Sequence, residues 1–305
     1  MRRILLPGLL LLAAGVVVLN WTWGRLPDEP RMTGRLVRVG ETTVRVLERP
    51  GRGPAVVLLH GLPGTAEDFD AVTARLRRRH TIAFDRPGFG FSSGGYHDLD
   101  RQLETLASLL HALGARRPVL VGHSYGGTLA LAYAARHPDD VRGLVLVDAA
   151  AGGQESSFSD RAQSRLVQAL SLPVVRPIAD ATFSQLMRTV SAKQGDTDAF
   201  DPGAVDVGHE HRLLALNMQH DDLDAYAGEQ LASDAEIATL DRQLPTIAAP
   251  TVVIQGAGDL LVEPARARQI AAALPHARLT MVSGGHMAPY LHPGTVAAAV
   301  RSLLR

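Results

Sequence analysis

The chain has no cysteine. That absence removes disulfides, thiolate metal sites, cysteine nucleophiles and the acylated cysteine of a bacterial lipoprotein signal together, so any covalent catalysis must use another side chain. Net charge is missing as well: 31 basic and 31 acidic residues cancel. Composition therefore supplies no bulk attraction for nucleic acid or an anionic surface, and nucleic acid is not an expected partner. There is no internal repeat or low-complexity tract, and no phosphate-binding loop: the glycines of "DRPGFG" match neither the spacing nor the strand–helix context of a nucleotide fingerprint. His209-Glu210-His211 and His220-Asp221-Asp222 lack the helical His-Glu-x-x-His spacing of a metal site and read as a solvated face, so no metal or other cofactor is expected.

What is present begins with the N-terminus, "MRRILLPGLLLLAAGVVVLNWTWGRLP". Arg2 and Arg3 precede an apolar run from Ile4 to Leu19, followed by Trp21 and Trp23. With the tryptophans the run reaches about the 20 residues needed to cross a bilayer, and the arginines favour a cytoplasmic N-terminus. Residues 1–23 are therefore expected to form a transmembrane helix, making the membrane a partner and holding the main domain outside the cytoplasm. The alternatives are a cleaved signal, with a secreted or periplasmic product, whose one small-residue cluster, Ala13, Ala14 and Gly15, lies inside the apolar run, and, last, a buried globular helix. Residues 24–34, polar with Pro27 and Pro30, read as a linker.

The 305 residues suit one large α/β domain with an insertion, or two small domains. "RLVRVGETTVRVLERPG" alternates apolar and polar residues around Gly40, the pattern of an antiparallel hairpin with one wet face. The texture then changes to short, nearly continuous apolar runs: Ala55–His60, Thr81–Asp85, Pro118–Gly122, Gly143–Asp148, Thr251–Gly256 and Arg278–Val282. Such runs fit strands buried on both faces of a mostly parallel sheet. Between them lie amphipathic segments such as Asp98–Gly114, with Leu99, Leu103, Leu106, Leu110 and Leu113 at helical spacing. Alternating strands and helices predict a doubly wound α/β sheet. The alternation breaks between about Gly152 and Leu244, which is too long for an ordinary loop and reads as a helical insertion.

Gly122-His123-Ser124-Tyr125-Gly126 fits a nucleophile elbow, in which a serine sits on a strained strand-to-helix turn and its neighbours two residues away stay small. An apolar strand precedes it and "TLALAYAARH" continues as a helix. A serine hydroxyl needs a base, itself oriented by an acid. Downstream, His286 in "SGGHMAP" and Asp259 in "VIQGAGDLLVEP" each directly follow a strand, giving the chain order Ser, Asp, His. Asp148, at another strand end, is the alternative acid. An oxyanion would need two donors: the N–H of Tyr125 at a helix N-terminus, and the N–H of Leu62 in "HGLPG", where Gly61 permits an unusual backbone and Pro63 cannot donate. His60 reads as a hydrogen-bonded part of that loop and His123 as packing beside the elbow. Asp68 and Phe69 could border the pocket or open a helix.

"HGLPG", "DRPGFGFS", "GHSYGG", "GAGD" and "GGHM", in this order, resemble the α/β-hydrolase fold family, in its cap-bearing serine hydrolase branch, from about Thr33 to Arg305. The resemblance implies an eight-stranded, mostly parallel sheet with core residues 35–151 and 245–305 around a helical cap, residues 152–244, folded over the active site. It implies Ser124 as nucleophile, Asp259 as acid at the family's usual position, His286 as base, Leu62 and Tyr125 as oxyanion donors, and His60, Gly61, Gly122, His123 and Gly126 as their support. A serine at the elbow disfavours the dehalogenase and epoxide hydrolase chemistries, which use aspartate there, and Tyr125 departs from the tryptophan of proline iminopeptidases. The simplest implied activity is hydrolysis of a small, apolar carboxyl ester without cofactor, the cap supplying apolar walls from residues such as Leu186, Met187, Leu213 and Met218. The same triad can support other acyl or carbon–carbon bond hydrolysis, acyl transfer or perhydrolysis. From a different class, the fold can serve as a ligand-binding receptor module.

Overall fold

A computed structural model describes residues 14–24, 26–151, 174–217 and 220–305, with positions 162, 165, 166, 168, 169 and 172. Eight strands, β1 (Arg35–Val39), β2 (Thr42–Arg49), β3 (Arg52–Leu59), β4 (Arg79–Phe84), β5 (Val119–His123), β6 (Gly143–Val147), β7 (Thr251–Gly256) and β8 (Ala277–Val282), form one sheet. Their order is β1-β2-β4-β3-β5-β6-β7-β8. β2 pairs antiparallel with β1 and β4, and every other pairing is parallel. Helices α1 (Leu99–Ala112) and α2 (Tyr125–Arg136) precede the insertion, whose described part holds α3 (Arg176–Thr182), α4 (Ser184–Phe200), α5 (Val207–Leu216) and α6 (His220–Asp241); α7 (Pro264–Ala273) and α8 (Pro293–Leu303) follow.

Strand alternation explains why the central strands are apolar at successive positions. Val57, Leu59, Leu120, Leu144, Leu146 and Val253 pack on one face with residues of α1, α2 and α7. Val56, Leu58, Val119, Val121, Val145 and Val147 pack on the other with Phe69, Val72 and α8. α1 starts where the Asp98 side chain accepts the Arg101 N–H at 2.9 Å and buries Leu103, Leu106 and Leu110. β8 departs from the two-faced burial its sequence predicts: it is the sheet edge, its residues lie half-buried or exposed, and Met281 is open to solvent.

The first hairpin also departs from a simple wet face. Arg45 of β2 is wholly buried, bonding the Thr33 carbonyl at 2.9 Å, Asp85 at 3.1 Å and the Glu67 carboxylate. Asp85 in turn accepts the Ala66 and Phe91 N–H groups at 2.9 and 3.0 Å, pinning the loops after β3 and β4. Removing one member of a buried ion pair strands the other. Arg45→Met is therefore expected to lower the free energy of unfolding by about 3–5 kcal/mol, read from urea midpoints; a loss below about 1 kcal/mol would mark the pair as a surface-like bridge.

Among the described residues no helix is long and apolar enough to cross a membrane, so the transmembrane helix expected over residues 1–23 is not supported; positions 1–13 lie outside the described residues. Residues 14–22 are helical, and their end docks on the insertion instead of standing free. Trp21 Nε1 donates to the Ala181 carbonyl at 3.0 Å, Asn20 Oδ1 accepts the Leu186 N–H at 3.0 Å, and Thr189 Oγ1 donates to the Gly24 carbonyl at 3.2 Å. A buried asparagine bonded in this way is paired with protein rather than lipid.

Candidate active site

The strand ends of β3, β5, β7 and β8 bring their following loops to the C-terminal edge of the sheet, where open α/β sheets place their sites. At the end of β5, Ser124 has φ 51° and ψ −123°, a left-handed backbone unusual for any residue with a Cβ. Three hydrogen bonds hold it: Ser124 N–H donates to the Val147 carbonyl at 3.0 Å, and the Ser124 carbonyl accepts Gly127 N–H at 2.8 Å and Ala150 N–H at 3.1 Å. The flanking glycines are small because strand and helix nearly touch: a Cβ on Gly122 would collide with the Gly126 carbonyl, and one on Gly126 with the Leu59 carbonyl. The turn opens directly into α2, so the Tyr125 N–H lies at the positive end of a 12-residue helix.

The loop after β3 passes against the elbow. A Cβ on Gly61 would come within 3.0 Å of the Ser124 Cβ, and Leu62 is the next residue along this loop. His60 is neutral: burial first, then the neighbouring Arg86 charge, push its pKa well below the ordinary value. His60 Nε2 accepts the Arg86 N–H at 2.8 Å, which assigns the ring proton to Nδ1; Nδ1 donates to the Gly61 carbonyl at 2.9 Å.

His286 Nδ1 lies 2.8 Å from Asp259 Oδ2. Asp259 has three further donors, Gln255 Nε2 at 2.8 Å and the Leu261 and Val262 N–H groups each at 2.9 Å, so its carboxylate is fixed and His286 carries its proton on Nδ1. Burial raises the Asp259 pKa, but the His286 partner and these N–H groups outweigh it and leave the carboxyl below its usual range. For His286 burial works downward, and the charge and hydrogen bond of Asp259, with Asp148 behind, prevail, so its pKa is raised. His123 Nε2 donates to the His286 carbonyl at 2.8 Å, and the two rings are 4.9 Å apart. That bond joins the elbow to the histidine loop; among the described residues Ser124 Oγ itself makes no hydrogen bond.

Asp148 is close to this pair but bonds elsewhere. Its Oδ1 accepts the Gly256 N–H at 2.8 Å and its Oδ2 the Ala288 N–H at 3.0 Å, tying the end of β7 to the segment after His286. Burial pushes its carboxyl up to about 7. Asp68 is buried and accepts the Thr65 N–H at 3.1 Å at the start of a short helix. His209 lies 3.3 Å from Asp196 and 3.9 Å from Asp68, and among the described residues no group of three or more His, Asp or Glu side chains is disposed to hold a metal. Of the expected cap walls, Leu186 faces the N-terminal segment through its backbone contact with Asn20, Leu213 packs with Ala192, Leu214 and Leu26, Met187 is partly exposed, and Met218 lies outside the described residues. The apolar cluster beside His286 is formed instead by Ala199, Phe200 and Met287 with Val205 and Tyr290, and the His286 N–H bonds the Ala199 carbonyl at 2.8 Å.

If His286 serves as a base it must be neutral to act, and with its raised pKa it would lose activity at a higher pH than an ordinary histidine. For a neutral aryl ester the acidic limb of kcat/KM is expected to have its midpoint above 6.5, the unperturbed histidine value. A midpoint at or below that value in a full pH–rate profile would contradict the charge balance around His286.

The sequence of residues 54–293 matches the model of the alpha/beta hydrolase fold family. The chain is 33% identical over 264 residues to a pimeloyl-[acyl-carrier protein] methyl ester esterase of Xanthomonas campestris pv. campestris, an alignment covering 82% of this chain and 94% of that protein. It is 36% identical over 118 residues to a 2-(acetamidomethylene)succinate hydrolase of Mesorhizobium japonicum, covering 37% of this chain but only 42% of that enzyme. A solved membrane phospholipase A, titled a bacterial virulence factor, shares the fold with a TM-score of 0.67 at 24% identity, covering 100% of this chain and 98% of that one.

Proposed function

Because the chain belongs to the alpha/beta hydrolase fold family and is a hydrolase, we propose that it cleaves small apolar carboxyl esters through an acyl-enzyme on Ser124. The observation that carries this reading is the buried His286–Asp259 pair, 2.8 Å apart, which leaves Nε2 as the basic nitrogen and is tied through the His123–His286 carbonyl bond to the elbow that carries Ser124. The Ser124 hydroxyl attacks the ester carbonyl while His286 Nε2 takes its proton; Asp259 holds the imidazole in the tautomer that permits this and stabilises the imidazolium. The oxyanion of the tetrahedral intermediate is met by the N–H groups of Leu62 and Tyr125, each worth about 10²–10³ in rate. His286 then protonates the departing alkoxide, and water, activated by the same nitrogen, releases the acid. Residues Phe200, Met287 and Tyr290 beside His286 suit an apolar acyl or alcohol group.

The test is stoichiometric labelling by a fluorophosphonate, located by peptide mass, together with turnover of p-nitrophenyl esters from acetyl to decanoyl. Label confined to Ser124 and ester turnover are expected. Folded protein that neither labels nor turns over would transfer the reading to a ligand-binding module. The arginines and apolar run at the N-terminus support a catalytic domain outside the cytoplasm, and N-terminal sequencing of protein recovered from fractionated cells tests it: recovery with the cytosol would overturn it.

A further inference from the structure

Arg86 follows β4 and is wholly buried, yet its neighbour Asp85 is committed to Arg45. Its anionic partner comes from the insertion: Arg86 Nη1 donates to Glu229 Oε1 of α6 at 2.6 Å, across 143 residues of sequence. Gln102 of α1 completes the junction, accepting from Arg86 Nη1 at 2.8 Å and donating to Glu229 at 3.0 Å. The rest of the guanidinium is spent on the loop after β3. Nη2 donates to the Gly61 carbonyl at 2.8 Å and Nε to the His60 carbonyl at 3.2 Å. Arg86 Cζ also lies 5.0 Å from the centroid of the Tyr125 ring. One turn-pair along α6 on the same helical face, Glu236 Oε2 accepts the Tyr125 hydroxyl at 2.8 Å.

The chemistry of the Gly61 carbonyl gives this network its meaning. That carbonyl and the Leu62 N–H belong to one planar peptide group. Two donors, Arg86 Nη2 and His60 Nδ1, converge on the oxygen. They fix the plane, and so the direction in which the N–H points. By drawing electron density toward oxygen they also strengthen the N–H as a donor, the cooperative polarisation expected of linked hydrogen bonds in a low-dielectric interior. The second oxyanion donor, Tyr125 N–H, belongs to the residue whose side chain is gripped between Arg86 and Glu236. Both donors are thus braced from the same helix of the insertion.

We propose that Glu229 is a positioning residue for the oxyanion hole, holding Arg86 on the Gly61 carbonyl so that the Leu62 N–H is aimed and polarised when the insertion is seated. The proposal rests on the hydrolase reading above. Glu229 touches no reacting atom; it acts through Arg86 and one peptide group. An interaction realised only as charge develops on the substrate oxygen appears in kcat rather than in KM.

The test is Glu229→Gln, with kcat and KM for a p-nitrophenyl ester expressed per site titrated by fluorophosphonate, so that misfolded protein does not count. A fall in kcat of about tenfold with KM within twofold is expected, since a loosened donor should cost less than the hundredfold or more of a deleted one. Inhibition by an aryl boronic acid, whose adduct with serine places an oxygen where the oxyanion forms, should weaken by a similar factor. In an Arg86→Met background the same change should have no further effect, because the two residues act as one unit. An unchanged kcat per site, a loss confined to KM, or unchanged boronic acid inhibition overturns the proposal. If Glu229→Gln yields no titratable sites, Arg86→Met with Glu229→Met, which leaves no buried charge unpaired, carries the test: the same loss of kcat at constant KM is expected, and a wild-type kcat refutes it. Wild-type protein that does not label at all would sink the hydrolase reading itself, a result distinct from labelled protein indifferent to Glu229.

Discussion

Ser124→Ala is expected to lower kcat on a p-nitrophenyl ester by about a millionfold, the scale on which loss of a serine nucleophile is felt when its histidine and oxyanion donors remain. The size of the effect follows from how little else the substitution touches. The elbow backbone is held by the bonds of Ser124 N–H to Val147 and of its carbonyl to Gly127 and Ala150, none of which needs the hydroxyl, and alanine tolerates φ 51° about as poorly as serine does. The His286–Asp259 pair and both candidate oxyanion N–H groups should persist. What is left is the residual catalysis of binding and oxyanion stabilisation, about 10³–10⁴ over water. The measurement is kcat of purified variant against wild type, with far-UV circular dichroism and the urea midpoint confirming an intact fold. A loss smaller than about hundredfold would place the nucleophile elsewhere, and with no cysteine in the chain that would be another hydroxyl, a carboxylate, an imidazole, an amine or a bound water.

The sheet is readable from the sequence because its central strands must be apolar at successive positions, a demand few other elements make. Val119–His123, Gly143–Val147 and Thr251–Gly256 therefore announce themselves, and so does the elbow, because its two close-approach glycines are required by backbone collisions rather than by chemistry. β8 misleads for the opposite reason: an edge strand in a folded chain can carry the same Leu, Met and Val while half of each faces solvent. Asp259 and His286 can be nominated because each directly follows a strand, whereas the role of Asp148 cannot be read locally. Its two oxygens are claimed by N–H groups 108 and 140 residues away, partners that only the closed sheet brings together. The Arg86–Glu229 pair is hidden more deeply. Arg86 lies in a glycine-rich loop and Glu229 on a polar helix, both ordinary settings for solvated charge, and nothing short of tertiary contact reveals that they are buried against each other. The N-terminal segment shows a further limit: hydropathy registers an apolar run, but Asn20 and Gly24 matter through their fit against Leu186 and Thr189.

The two aspartates near His286 provide the sharper division of labour. Asp259→Asn is expected to reduce kcat by about 10⁴-fold, with a cost of about 1–3 kcal/mol in the free energy of unfolding because the buried Gln255 Nε2, which donates to Asp259 Oδ2 at 2.8 Å, then meets an amide NH₂. The asparagine oxygen can still accept the Leu261 and Val262 N–H groups that now meet Asp259 Oδ1. That orientation turns the amide nitrogen, a donor, toward His286 Nδ1, which must then present its lone pair and carry its proton on Nε2. An imidazole in that tautomer cannot take a proton from serine. Asp148→Asn should match it in stability and differ in kcat. One oxygen cannot serve both the Gly256 and Ala288 N–H groups, so a buried donor is left facing an amide NH₂, at a cost of about 1–3 kcal/mol in the free energy of unfolding. Its effect on kcat per titrated site should stay within about tenfold. It carries one further signature with a definite sign: Asp148 helps to raise the His286 pKa, so neutralising it should move the acidic limb of kcat/KM to lower pH. Measuring kcat, the acidic limb and the urea midpoint on both variants separates the roles. A thousandfold loss of kcat in Asp148→Asn beside a mild one in Asp259→Asn would exchange them and make Asp148 the acid that orients the base.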